Sequence, residues 1–350
     1  MIYRLLLLFL IIISSSFSNV IKYAAYLDIV VDDSVVYLQV KKINQNSNKK
    51  ISYKINLKKK KVIINDSTKV DYPLDKIGIS NVVQAEILNM FNKLDRASSI
   101  AGSIYITSKE IKEKIKKYNI IEVGTEYGIN LERVIKSGTK VFLINKPGSM
   151  YDLDNQLNKL NLPSIISSEW IENSLLGRTE WIKFFGWLLG CPEIADSIFK
   201  DIENRYYNIV QTNRIKYSDQ NILWGSIFNG SAWIVGKKSF VCNMFNNIGI
   251  KLLNNDFDFI SSPISLENFF TLLKKTDIFI VSNNLTTYEQ FLSIDPRIKK
   301  IIPPATKVYS VTNEYYESSI LTPDILIDEI YSIVNNNPKK GKFFRRLELK

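Results

Sequence analysis

From residue 73 onward, short apolar runs alternate with segments of helical period. Strands separated by helices can pair in parallel only through crossover connections, so this rhythm restricts the chain to an α/β architecture. Strands are predicted over 76–79, 120–123, 140–144 and 164–166. Helices are predicted over 85–94, where Ile87, Leu88, Phe91 and Leu94 form one stripe, and over 109–117, 130–136 and 153–160. The alternation restarts at residue 222, with strands over 222–224, 278–281 and 307–311 and helices over 240–248, 266–274, 287–293 and 323–334.

Between the two series stand two helices. Trp181, Phe184, Phe185, Leu188 and Leu189 repeat at i, i+3, i+4, i+7 and i+8, and Gly190 closes the helix they define. Pro192 suits the first turn of the next helix, along which Ile194, Ile198, Phe199, Ile202, Tyr206 and Ile209 recur at helical spacing. A helix over 193–213 is about 30 Å long, the width of a lobe. The expected fold is therefore two α/β lobes with mainly parallel central sheets, bridged by one long helix. The 350-residue length also exceeds what one hydrophobic core usually serves.

Ahead of the first lobe, residues 21–70 alternate with period two in four runs broken by polar clusters. They predict an antiparallel strand region that packs on the first lobe or forms its edge. The chain begins Met-Ile-Tyr-Arg, then an apolar run from Leu5 to Ile13, then Ser14-Ser15-Ser16-Phe17-Ser18. That pattern predicts a signal peptide cleaved after Ser18 and a soluble exported product, periplasmic or extracellular; the run is too short for a membrane span. No cysteine follows it, which argues against a lipid-modified cysteine. The expected divisions are signal peptide 1–18, strand region 19–72, first lobe 73–190, linking helix 191–213, second lobe 214–335 and basic tail 336–350.

The chain contains no histidine. This removes Ser-His-Asp and Cys-His catalysis and histidine-ligated zinc or haem. Cys191 and Cys242 either form one disulfide or remain buried thiols, and two cysteines alone make no zinc site. No phosphate-binding loop, dinucleotide fingerprint or nucleophile elbow is present, and no cofactor is expected. The formal charge of +11 is spread through a lysine-rich chain, so solvated lysines rather than a nucleic-acid partner are expected.

Three segments resemble the iron-complex and cobalamin substrate-binding proteins of bacterial ABC importers. Glu169 and Glu172 precede Leu175-Leu176-Gly177-Arg178-Thr179-Glu180-Trp181-Ile182-Lys183, similar to the family's E-x-x-E-x-x-P-L-G-R-A-E-W-I-K run. Gly230-Ser231-Ala232-Trp233 through Gly236 to Ser239-Phe240 is similar to G-x-W-x-x-x-G-G-x-S-Y. Tyr316-Glu317 through Pro323-Asp324 to Asp328 resembles the closing W-E-x-G-x-x-R-P-D-x-x-L-x-D. Departures are Leu175 for proline, Lys237 for the second glycine, and Asn119-Ile120 and Thr276-Asp277 where the family has Pro-Asp.

The resemblance implies a monomer that captures a ferric siderophore, cobalamin or haem between its lobes and delivers it to an ABC transporter permease, without enzymatic activity. In open parallel sheets ligands sit beyond the carboxyl ends of strands. Those ends offer Ser80, Asn81, Thr125, Glu169, Trp170, Ser226, Asn283, Asn313 and Tyr315 as ligand-binding candidates, with Trp233 a further stacking aromatic. The resemblance further implies that Glu110 and Glu267 dock on the permease. Competing readings are a secreted two-lobed enzyme of the glycosyltransferase kind and an adhesion or sensory module that retains the fold without transport.

Overall fold

The computed structural model describes residues 18–41, 50–64, 68–125, 128–145, 151–215, 219–228, 230–337 and 341–348. The expected signal peptide, Ser18 apart, lies outside the described residues. Among them, no helix is long and apolar enough to cross a membrane.

The strand region is a six-stranded antiparallel meander of β1 (Ser18–Asn19), β2 (Leu27–Asp32), β3 (Val35–Lys41), β4 (Lys50–Asn56), β5 (Lys61–Ile64) and β6 (Thr68–Asp71), in that order. Alternate residues of β3, namely Val36, Leu38 and Val40, are buried, as a half-buried sheet requires. That inner face shares one core with the first lobe, and the Tyr53 hydroxyl of β4 accepts the Ile166 N–H at 2.8 Å.

In the first lobe, β7 (Ile77–Ile79), β8 (Ala97–Ile100) and β9 (Ile121–Glu122) are followed by a hairpin of β10 (Gly124–Thr125) and β11 (Gly128–Ile129), then β12 (Val141–Asn145) and β13 (Ser164–Ser167). Its five-stranded sheet is parallel throughout, ordered β13-β12-β7-β8-β9.

In the second lobe, β14 (Ile222–Phe228), β15 (Ser231–Val235), β16 (Ser261–Ile264), β17 (Ile278–Val281), β18 (Lys307–Val311) and β19 (Phe344–Leu347) form one sheet ordered β16-β15-β14-β17-β18-β19. Its centre, β14-β17-β18, is parallel, while β15, β16 and β19 join antiparallel. The segment read from sequence as a basic tail thus contributes an edge strand: Phe344 and Leu347 are buried, Arg346 is exposed as suits an edge, and the half-buried Arg345 donates to the Leu285 carbonyl at 2.6 Å.

Helices cover the sheets. They are α1 (Val82–Met90), α2 (Lys109–Lys117), α3 (Leu131–Lys136), α4 (Tyr151–Lys159), α5 (Leu175–Glu180), α6 (Ile182–Leu189), α7 (Pro192–Thr212), α8 (Phe240–Asn247), α9 (Leu266–Leu273), α10 (Tyr288–Ser293), α11 (Ile298–Ile301), α12 (Asn313–Ser318) and α13 (Pro323–Val334). The first runs three residues ahead of its predicted start because the Asn81 side chain caps it, and it ends before Asn92, whose φ of 53° is incompatible with continued helix.

The 21-residue α7 buries Ala195, Phe199, Ile202 and Tyr206 along one face. It packs on α6 at Gly186, where a Cβ would collide with that of Ala195, so only glycine allows this approach. Cys191 caps α7 and Cys242 lies on α8. They are separate buried thiols in different cores.

Candidate ligand-binding cleft

Between the lobes lies a cavity of about 460 Å³. The first lobe lines it with Ser80, Asn81, Val82, Val83, Ala101, Gly102, Tyr105 and Asn145, and the second with Asn313 and Tyr316. Most of the first-lobe group sits beyond the carboxyl ends of β7, β8 and β12, where an open parallel sheet presents ligands.

The floor is a chain of buried amides and hydroxyls. Asn81 Oδ1 accepts the Gln84 N–H at 3.0 Å, which starts α1 at the cleft. Gln84 Oε1 in turn accepts the Ser80 N–H at 2.8 Å, and Ser80 Oγ accepts the Asn145 N–H at 2.9 Å. Asn145 Nδ2 then donates to Glu169 Oε1 at 2.8 Å. Glu169 is only 1% exposed, and burial raises its carboxyl above the ordinary range, with the neighbouring Ser167 hydroxyl acting in the opposite sense. Glu169 Oε2, Asn145 Oδ1 and Gln84 Nε2 are buried and make no hydrogen bond among the described residues.

The wall at Gly102 is fixed by Glu122. Its carboxylate accepts the N–H groups of Gly102, Ser103 and Gly124 at 3.2, 3.0 and 3.2 Å. Burial nevertheless raises its carboxyl. From the second lobe, α12 presents Asn313 and Tyr316 on one face at i, i+3 spacing. Asn313 Oδ1 accepts Asn284 Nδ2 at 2.8 Å, and the Tyr316 hydroxyl donates to the Ser282 carbonyl.

Of the candidates named from sequence, Ser80, Asn81 and Asn313 line this cavity, and Glu169 lies one hydrogen bond below its floor. Trp170 follows Glu169 with its indole N–H buried and unpaired among the described residues. Five further candidates lie outside the lining. Ser226 lies on β14, paired with Trp233 of β15. Thr125 sits in the β10–β11 hairpin. Trp233, 42% exposed, stands on β15 opposite Pro263. Asn283 accepts Ser310 Oγ on its carbonyl at 2.6 Å. Tyr315 packs against Trp224 and Phe344, and burial pushes its phenol pKa up. Sequence reasoning missed Tyr105, Ala101-Gly102, Asn145 and Tyr316. The strand-end rule finds Ala101-Gly102 once β8 is recognised, and Asn145 once β12 is extended by one residue.

The motif around Glu169 holds the architecture together. Glu180, fully buried, accepts the backbone N–H groups of Lys22, Tyr23 and Ala24 at 2.9, 2.6 and 3.0 Å. Glu172 takes those of Ala25 and Tyr26 at 2.8 and 2.9 Å, together with the Trp181 indole N–H at 3.0 Å. Two carboxylates thereby bind five consecutive N–H groups of the segment entering the meander. Arg178, whose pKa burial lowers to about 10, donates to the carbonyls of Glu172 and Trp170 and lies over the Phe240 ring.

Glu110 and Glu267 share one local design, each two residues after a serine that caps its helix: Ser108 for α2 and Ser265 for α9. Both are exposed. Glu110 pairs with Lys114 at 2.6 Å, and that hydrogen bond holds its carboxyl below the usual range.

No family model matches the chain. It is 22% identical over 288 residues to an uncharacterized lipoprotein of Methanocaldococcus jannaschii, covering 78% of this chain and 68% of the relative. A second uncharacterized protein of that organism is 22% identical over 332 residues, 91% of each chain. Among solved structures, a periplasmic heme binding protein from Pseudomonas aeruginosa superposes with TM-score 0.62 at 11% identity, covering 79% of this chain and 99% of that one. The triscatecholate siderophore binding protein FeuA from Bacillus subtilis, complexed with ferri-bacillibactin, gives 0.60 at 18% identity over 79% and 99%. The periplasmic vitamin B12 binding protein BtuF of Vibrio cholerae gives 0.51 at 11% over 75% and 98%. The chain has the two-lobed fold that these substrate-binding proteins share.

Proposed function

We propose that this chain is an extracytoplasmic solute-binding protein that closes its lobes on an iron complex or a cobalamin-like ligand and presents it to an ABC importer. The observation that carries this reading is the cavity between the lobes, to which both contribute neutral polar side chains, in a fold otherwise seen in proteins named for binding heme, siderophores and vitamin B12. Its floor is prearranged by hydrogen bonds that run from Gln84 to Glu169, which spares a ligand the cost of ordering those groups. Glu110 and Glu267, at matching places on the two lobes, are the candidate contacts with the permease.

The test is a thermal-shift titration of residues 19–350 against cobalamin, haem and a panel of ferric siderophores. A ligand at 100 times its dissociation constant stabilises the fold by about 2.7 kcal/mol. A saturable shift with one compound supports the reading and names the substrate. A folded protein that responds to none of them removes it and favours the adhesion or enzyme readings.

A further inference from the structure

We infer that the outer face of the meander, across β2 to β6, is a docking surface for an anionic lipid bilayer. This goes beyond the solute-binding reading and does not depend on what the cleft holds. The chain's charge of +11 is uneven along its length: residues 19–72 carry 11 lysines against five aspartates, while residues 73–335 carry 28 basic and 29 acidic residues. With every one of those five aspartates given a lysine, and Lys22 held by Glu203 of α7 at 2.7 Å, five lysines of the meander remain uncompensated.

Alternation along the strands decides where these side chains point. The cross-strand row Ile29, Leu38, Tyr53 and Ile64 is buried in the core shared with the first lobe. The next row, Val30, Tyr37, Lys54, Ile63 and Lys69, therefore faces outward, and each of its members is at least partly exposed. Along this row lysines alternate with apolar and aromatic side chains, and Lys54 Nζ lies 5.6 Å from the centroid of the Tyr37 ring. The turn between β4 and β5 adds the exposed Lys58, Lys59 and Lys60. A bilayer surface fits this composition better than a soluble polyanion does. Headgroup phosphates meet the ammonium groups, while the layer beneath them accepts lysine stems, the tyrosine ring and the apolar side chains in between. A soluble polyanion answers the charge and leaves Val30, Tyr37 and Ile63 in water. A second copy of the chain sets the same excess charge against itself.

The experiment is co-sedimentation of residues 19–350 with vesicles at about 150 mM salt, one set made of phosphatidylglycerol and phosphatidylcholine in equal parts and one of phosphatidylcholine alone. A lysine near an anionic bilayer is worth about fivefold in partition, so engagement of only two of them should favour the anionic vesicles by about thirtyfold, a preference that about 1 M salt abolishes. The triple variant Lys59→Glu, Lys60→Glu, Lys69→Glu should lower that binding at least about tenfold. Lys274→Glu, Lys275→Glu, Lys300→Glu makes the same change in net charge on the second lobe and should lower it less than about twofold. All six side chains are exposed, and melting curves confirm that both variants fold. Equal binding to the two kinds of vesicle, or equal losses in the two variants, overturns the inference. Tighter binding to soluble polyphosphate than to the anionic vesicles overturns it in favour of a soluble polymer, and a lipid-free dimer that the first variant abolishes overturns it in favour of a second copy.

Discussion

The Glu317 carboxylate, on α12 of the second lobe, accepts the Thr107 backbone N–H of the first lobe at 2.8 Å and that of Ser108 at 3.4 Å. The same α12 lines the cleft through Asn313 and Tyr316, while Thr107 and Ser108 lead into α2, which carries Glu110. One buried carboxylate therefore joins the cavity wall to the candidate docking helix. Replacing it by alanine removes hydrogen bonds to a charged acceptor and should cost about 2 kcal/mol, with Glu317→Gln costing less because one acceptor oxygen remains. Urea denaturation reads the loss. Small-angle scattering should show a more extended unliganded molecule for the alanine variant.

Glu86 on α1 has its pKa pushed up to about 7, first by burial and then by Glu317, with Glu110 acting in the same sense and Lys342 opposing. The folded state thus holds this proton more tightly than the unfolded chain does. Its contribution to stability is complete below the unfolded carboxylate value and is lost as pH rises toward about 7. Melting temperature should fall over that interval, and the difference between wild type and Glu86→Gln should shrink or reverse across it. A difference that stays constant with pH would show that Glu86 titrates normally.

Glu180 binds three successive N–H groups at the start of the meander while carrying an ion pair to Lys183 at 3.1 Å. Glu180→Ala strands those three donors, leaves Lys183 its longer pair to Asp196 at 3.6 Å, and should destabilise the protein by about 3–5 kcal/mol. Proteolysis at the segment around Lys22 should accelerate more than cleavage in the second lobe.

Glu110→Ala and Glu267→Ala alter exposed side chains, so each should leave stability within about 0.5 kcal/mol and ligand affinity unchanged. Uptake by cells carrying the cognate importer should fail in the double variant. Normal uptake would remove both residues from the docking surface.

Much of the fold is legible because its signals are local. Residues 109–117 carry a serine cap, apolar residues at Ile111 and Ile115, and basic residues in the last turn, and α2 occupies that range. By contrast β8 reads Ala-Ser-Ser-Ile, a weak strand sequence by propensity. It becomes a strand because β7 and β9 on either side supply its hydrogen bonds. Similarly, β19 lies among charged residues and gains its conformation from pairing with β18. The Tyr315-Tyr316 pair offered no local basis for choosing between them. The turn of α12 sends Tyr316 to the cleft and Tyr315 against Trp224 and Phe344.

Local signals suffice for the α/β alternation, the long helix from Pro192, the helix caps and the exclusion of histidine chemistry, since period, capping and composition act within a few residues. The tertiary structure decided which polar groups became a cleft. Asn145 meets Glu169 across 24 positions, and Thr107 meets Glu317 across 210. Contacts of that separation depend on how sheets stack and lobes face each other, which no local pattern encodes.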